Sequence, residues 1–88
     1  MGNESKEPEP KGPLLGSYAN YFEVGHNAFE FLLDFGQFFP ENDRARVHTR
    51  IIMSPTYAKA LLHTLEEALQ RYEQTFGSIE DGTKPPAP

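Results

Sequence analysis

Few side chains in this 88-residue chain have the chemistry to act on a substrate, and their spacing decides how far that reading goes. The histidines are His26, His48 and His63. No two of them stand at the i, i+2 or i, i+4 separations that place two imidazoles on one metal ion, and there is no cysteine to supply thiolates. Glu23, Glu30 and Asp34 offer carboxylates, but general acid–base work needs two carboxyls in contrasting environments inside a cleft, and a chain this short leaves little room for one. Ser17, Ser54 and Ser78 lack the flanking glycines of a nucleophile elbow, and no glycine-rich phosphate loop is present. The expectation is a protein that is not an enzyme, with no catalytic residues, no metal and no cofactor.

A second chemistry is electrostatic. Arg44, Arg46, His48 and Arg50 form a basic run, and a two-stranded ribbon carrying such residues can enter the major groove of DNA. Against this stands a formal net charge of −5, whereas nucleic-acid binders show a basic face. Aromatic residues are not interleaved with the arginines. A ribbon-type nucleic-acid-binding dimer using Arg46 and Arg50 is therefore the alternative reading rather than the first.

The elements that must position these residues are organised around Tyr18–Gly36, which holds most of the aromatics. Tyr18 to His26 reads as a strand with neither face fully polar. Gly25, His26 and Asn27 read as a turn, because glycine and asparagine both tolerate positive φ. Ala28 to Gly36 alternates with period two: Phe29, Phe31, Leu33 and Phe35 on one face, Glu30, Leu32 and Asp34 on the other. Gln37 to Arg44 reads as a loop in which Phe38 and Phe39 are out of place.

Ala45 to Met53 is the cleanest alternation. Ala45, Val47, Thr49, Ile51 and Met53 share one face, and Arg46, His48, Arg50 and Ile52 the other. Paired antiparallel with Ala28–Gly36, its cations fall beside Glu30 and Asp34, and such cross-strand pairs contribute roughly 0.2–1 kcal/mol each. Ser54 and Pro55 then announce a helix, serine as N-cap and proline at the first helical position. Ala58, Leu61, Leu65, Leu69, Tyr72 and Phe76 make one apolar stripe along it, and Gly77 stops it.

The predicted fold is α+β: a three-stranded antiparallel sheet followed by one long C-terminal helix. Residues 14–77 form the single domain, with residues 1–13 and 78–88 as disordered polar tails rich in proline and charge. Residues 1–13 carry no apolar segment of signal-peptide type, and no apolar run reaches membrane-spanning length, so the expected location is the cytoplasm without membrane association.

So small a core is marginal alone, and with disulfides excluded oligomerisation is the leading remedy. One helix covers one sheet face. On this reading it takes Phe29, Phe31, Leu33, Phe35, Val47, Ile51 and Met53. Tyr18, Tyr21, Phe22 and Val24 then remain short of cover, as do Leu32, Phe38, Phe39 and Ile52. Those eight are the candidate interface of a homodimer or higher even-numbered oligomer, and another protein or a peptide is the further partner considered.

The combination NYFEVGHNAFEFLLDFGQ, then ARVHTRIIMSP, then AKALLHTLEEALQRYEQTFG resembles the bacterial and archaeal family called domain of unknown function 3467. Asn20, Phe29, Phe31, Asp34, Arg50 and the pair Ser54-Pro55 carry the resemblance, which covers about residues 18–76. It implies no activity and carries over no catalytic residues. The sheet, the following helix and the acidic character also resemble, in architecture alone, the export chaperone SecB and its relatives, which implies no function by itself. The function expected is a non-enzymatic oligomeric assembly or protein-binding module, chaperone-like in kind.

Overall fold

A computed structural model describes residues 12–82. The element order is β1 (Tyr21–His26), β2 (Phe31–Phe39), a 3-10 turn (Pro40–Asn42), β3 (Arg44–Met53) and α1 (Pro55–Phe76). The strands form one antiparallel sheet in the order β1-β2-β3. The fold is therefore the three-stranded antiparallel sheet with a long C-terminal helix that the alternation and the Ser54-Pro55 signal indicate. The tail expectations for residues 1–11 and 83–88 lie outside the described residues.

The first hairpin turns two residues later than the glycine suggests. Its tip is Asn27–Glu30, where the Asn27 amide donates to the Glu30 carbonyl and the Asn27 Oδ1 accepts from Phe29 N at 2.7 Å and Glu30 N at 2.9 Å. An asparagine side chain that satisfies two amides ahead of it builds its own turn. Gly25 stays in β1 opposite Leu32, without a positive φ. Phe29 and Glu30 thus belong to the turn and not to a strand face, and Phe29 is 81% exposed. The first strand starts at Tyr21 rather than Tyr18, yet Asn20 still ties to β2: its amide donates to the Gly36 carbonyl and its Oδ1 accepts from Phe38 N at 2.7 Å.

At the other end, Phe38 and Phe39 are strand residues, not loop. β2 runs on until Pro40, which has no amide hydrogen to offer the ladder and opens the 3-10 turn. Asp43 closes that turn at φ 54, ψ 42, a left-handed position that aspartate tolerates.

β3 departs from simple alternation. Phe35 faces Thr49 but Gly36 faces Val47, so His48 is the extra residue of a β-bulge. A side chain on Gly36 would come within 2.8 Å of the Arg46 carbonyl carbon and of Val47 Cα, so only glycine fits where β3 closes in. The bulge inverts the facing of everything before it in β3. Arg50 stays on the face of Asp34, while Arg46 and Arg44 move to the opposite face, across from Gln37 and Phe39. The expected ladder of Arg46, His48 and Arg50 against Glu30 and Asp34 reduces to the single pair Arg50–Asp34.

The helix corrects the largest expectation. Ser54 accepts from Tyr57 N and Gly77 ends α1 at φ 97 with its amide on the Glu73 carbonyl, as the cap residues imply. But α1 does not cover the sheet. It joins β3 through Ser54 alone, which leaves one pair of dihedrals to aim it, and those hold it off both faces. No side chain of α1 is buried, and only Ala58 is half-buried. Among the described residues no apolar side chain is buried anywhere; the enclosed positions are Asp34 and Gly36 on the central strand.

Candidate functional site

Pairing register sorts the sheet into two faces, because residues directly opposite one another project to the same side. One face carries Phe22, Val24 and His26 of β1, Phe31, Leu33 and Phe35 of β2, and Thr49, Ile51 and Met53 of β3. Phe22 meets Phe35 edge-on at 5.9 Å, and His26 stacks on Phe31 at 5.3 Å. Beyond the bulge the same face ends in Arg44 and Arg46, which border a hollow with Phe39, Asn42 and Ala45. Among the described residues neither guanidinium meets a carboxylate.

The second face carries a polar row across all three strands. Glu23 lies opposite Asp34, and Asp34 opposite Arg50. Arg50 grips Asp34 with two charge-assisted bonds, Nε to Oδ1 at 2.7 Å and Nη2 to Oδ2 at 2.9 Å. Those bonds hold the Asp34 carboxyl below its ordinary value of 3.8, and the same carboxylate raises Arg50. A general acid needs the opposite shift. Next along β1, the Tyr21 hydroxyl donates to Glu23, and that bond raises the phenol above its ordinary range. The row is a satisfied ionic tie between strands.

His48 has a different use. At the bulge its Nδ1 is 2.7 Å from Thr49 Oγ1 and its Nε2 is 3.0 Å from the carbonyl of Tyr18. The imidazole therefore reaches over the central strand, and Gly36 between them presents no side chain in the way. The three histidines stay apart, and among the described residues no group of three or more metal-capable side chains forms. Among the same residues no helix is long and apolar enough to cross a membrane.

The candidate basic patch is thus divided: Arg44 and Arg46 on one face, Arg50 committed to Asp34 on the other, His48 committed at the bulge. The candidate interface is divided as well. Phe22, Val24 and Phe39 share one face; Tyr21, Leu32, Phe38 and Ile52 share the other; Tyr18 precedes β1. Tyr18, Phe22, Val24 and Ile52 are each more than half exposed. A shallow hollow joins Ala19, Asn20, Tyr21, Phe22 and Phe38 with Gly82, where the chain returns after α1.

Residues 7–81 match the family model described as a protein of unknown function, DUF3467. The chain belongs to this family. No curated protein and no solved structure matches it. Family membership brings no assigned site, so the features that call for a role are those of the molecule itself. The sequence reading missed one of them. The stripe of α1, taken as core, is open along its length: Leu62 is 52% exposed, Leu65 53%, Tyr72 50% and Phe76 72%. The signal was present in Leu62, which the stripe drawn through Leu61 passes over.

Proposed function

We propose that this DUF3467 member is a non-enzymatic, self-associating module that works as a homodimer or a higher even-numbered assembly and presents its sheet to other proteins. The observation that carries the reading is the lack of any buried apolar side chain among the described residues, beside large apolar surfaces on α1 and on both sheet faces. Ordering each residue costs roughly 1–2 kcal/mol of backbone entropy. Apolar burial is the main term that offsets it, and apolar patches of this extent mark interaction surfaces. Among the described residues β1 and β3 are the edge strands of the sheet, and an edge strand is a site where an extended peptide can extend the sheet. The ionised, paired Asp34 and the scattered histidines support a role without catalysis.

Sedimentation across a wide concentration range tests it. The expected result is a dimer or larger at micromolar protein, with a melting temperature that rises with concentration. A monomer that unfolds cooperatively at a concentration-independent temperature would sink the proposal.

The alternative, a ribbon-type nucleic-acid-binding dimer, is favoured by one observation: Arg44 and Arg46 share a face on the β2–β3 hairpin and, among the described residues, have no acidic partner. Its arginine pair is Arg44 and Arg46 rather than Arg46 and Arg50, since Arg50 is held by Asp34. Salt-dependent retention on duplex DNA that Arg44→Ala with Arg46→Ala abolishes would carry it; no retention at low salt ends it.

A further inference from the structure

We infer that α1 is an antiparallel homodimerisation helix, pairing with α1 of a second copy about a two-fold axis at the height of Glu67, midway between Leu65 and Leu69. The inference rests on the self-association reading above and deepens it by naming the surface and the geometry.

The open stripe has coiled-coil spacing. Ala58, Leu62, Leu65, Leu69, Tyr72 and Phe76 follow one another at alternating steps of four and three, the repeat that keeps one seam facing a partner helix. None is buried, and α1 is a continuous helix over the whole run.

Side-chain size along the seam sets the direction. In a parallel pair each residue meets its own copy, so two Ala58 methyls face each other at one end and two Phe76 rings at the other. Helix separation follows the size of the side chains between, so such a pair would splay. In an antiparallel pair centred on Glu67, Leu65 meets Leu69 of the second copy, Leu62 meets Tyr72, and Ala58 meets Phe76. Each outer layer then combines an aliphatic residue with an aromatic one, and the axes keep an even distance. Residue i contacts j while j contacts i, as a two-fold interface requires.

The flanks agree. On one side of the seam stand Lys59, Glu66 and Glu73; on the other Leu61, Ala68 and Thr75. Antiparallel pairing brings Lys59 beside Glu73 of the second copy, twice per dimer. It also sets Ala68 against Ala68, where the helices can close in. Parallel pairing instead places Glu66 and Glu73 beside the apolar flank of the other helix. One antiparallel contact is unfavourable, Glu66 against its own copy near the axis.

The absence of cysteine makes the test clean. Leu61→Cys and Thr75→Cys are made in separate full-length chains and treated with a bismaleimide crosslinker, alone and mixed. Same-site pairs in the antiparallel dimer lie about 21 Å apart along the axis, fourteen residues at 1.5 Å each, so a reagent shorter than that span joins only the mixed pair. The expected result is crosslinked dimer in the mixture and monomer in each separate sample. Crosslinking of each variant with itself would show a parallel pair and overturn the inference. A dimeric mass with no crosslink in any sample would place association on the sheet, overturning the inference while self-association stands. A monomeric mass for the wild-type chain overturns both. Charge exchange supplies an independent readout should a cysteine variant misfold. Lys59→Glu alone is expected to weaken association several-fold and Lys59→Glu with Glu73→Lys to restore it; no restoration counts against the antiparallel pairing.

Discussion

Replacing Leu65 by alanine separates a helix that is merely exposed from one that is an interface. In the single chain Leu65 keeps 53% of its surface open and buries nothing against the sheet. Alanine is the better helix former, so the substitution does not weaken α1 itself. In the paired helix the open half of the side chain closes. Full burial of a leucine is worth about 1.5–3 kcal/mol, so closing half contributes about 1 kcal/mol per copy. Two-fold symmetry applies the change twice, weakening the dimer by about 2 kcal/mol, or about thirtyfold in Kd. Any void left beside Leu69 of the second copy adds to that. Sedimentation velocity over a dilution series reads the Kd directly, with far-ultraviolet circular dichroism to show that the helix persists. Gln70→Ala, on the polar side of α1, is the control and should leave Kd unchanged. A Leu65→Ala chain that associates as tightly as wild type, its helix intact, would refute the seam.

Other outcomes follow from the same geometry. Glu66→Gln removes the like-charge contact at the two-fold axis and should tighten association at low salt, an effect that fades as salt is added; dilution at two ionic strengths checks it. Gly36→Ala drives a methyl into β3 backbone at the bulge and should destabilise the chain by more than the ~1 kcal/mol typical of a point mutation, read as a lowered denaturant midpoint. Asp34 titrates below 3.8 when folded and at its ordinary value when unfolded, so the unfolded chain takes up its proton first as pH falls. The stability that its Arg50 pair contributes is therefore present above that value and lost on acidification below it. Asp34→Asn should flatten this part of the acid limb in a urea titration between neutral pH and pH ~3. Ser54→Ala removes the acceptor for Tyr57 N and should cost about 1 kcal/mol, read from the same denaturant midpoint.

The elements were legible in the sequence because each has a local cause. Alternation marks β2 and β3, and Ser54, Pro55 and Gly77 bound α1 to within a residue. What alternation could not reveal was the bulge. One extra residue, His48, inverts the facing of all positions before it, and its origin lies across the sheet in Gly36, ten or more residues away in sequence. The turn was misplaced for a related reason. Gly25 permits a turn, but Asn27 makes one by accepting two amide hydrogens, and a satisfied pair of donors outweighs conformational permission. The interface candidates suffered most. With the helix taken to cover the sheet, its own stripe counts as core, and the residues left over mix both faces, Phe22, Val24 and Phe39 on one and Tyr21, Leu32, Phe38 and Ile52 on the other.

A helix stripe has no inherent knowledge of what will cover it: the same leucines can pack on a sheet or on another helix. Two features distinguish the cases here. Packing on a sheet needs only a broad apolar face, whereas within the apolar face of α1, which Leu61 and Ala68 widen on one side, the steps from Ala58 to Phe76 alternate strictly between four and three. And the sheet face it would cover ends in Arg44 and Arg46, while the rim of α1 carries Glu66 and Glu73 on one side and only Leu61, Ala68 and Thr75 on the other. A helix laid on its own sheet could engage those arginines along one rim at most, and it would leave the alternating spacing without a purpose. Pairing with its own copy uses the spacing, the Ala58–Phe76 size gradient and the Lys59–Glu73 charges together. The sheet's aromatic face, its edge strands β1 and β3, and Arg44 and Arg46, which meet no carboxylate among the described residues, then stay open, as the proposed contact with a second protein requires.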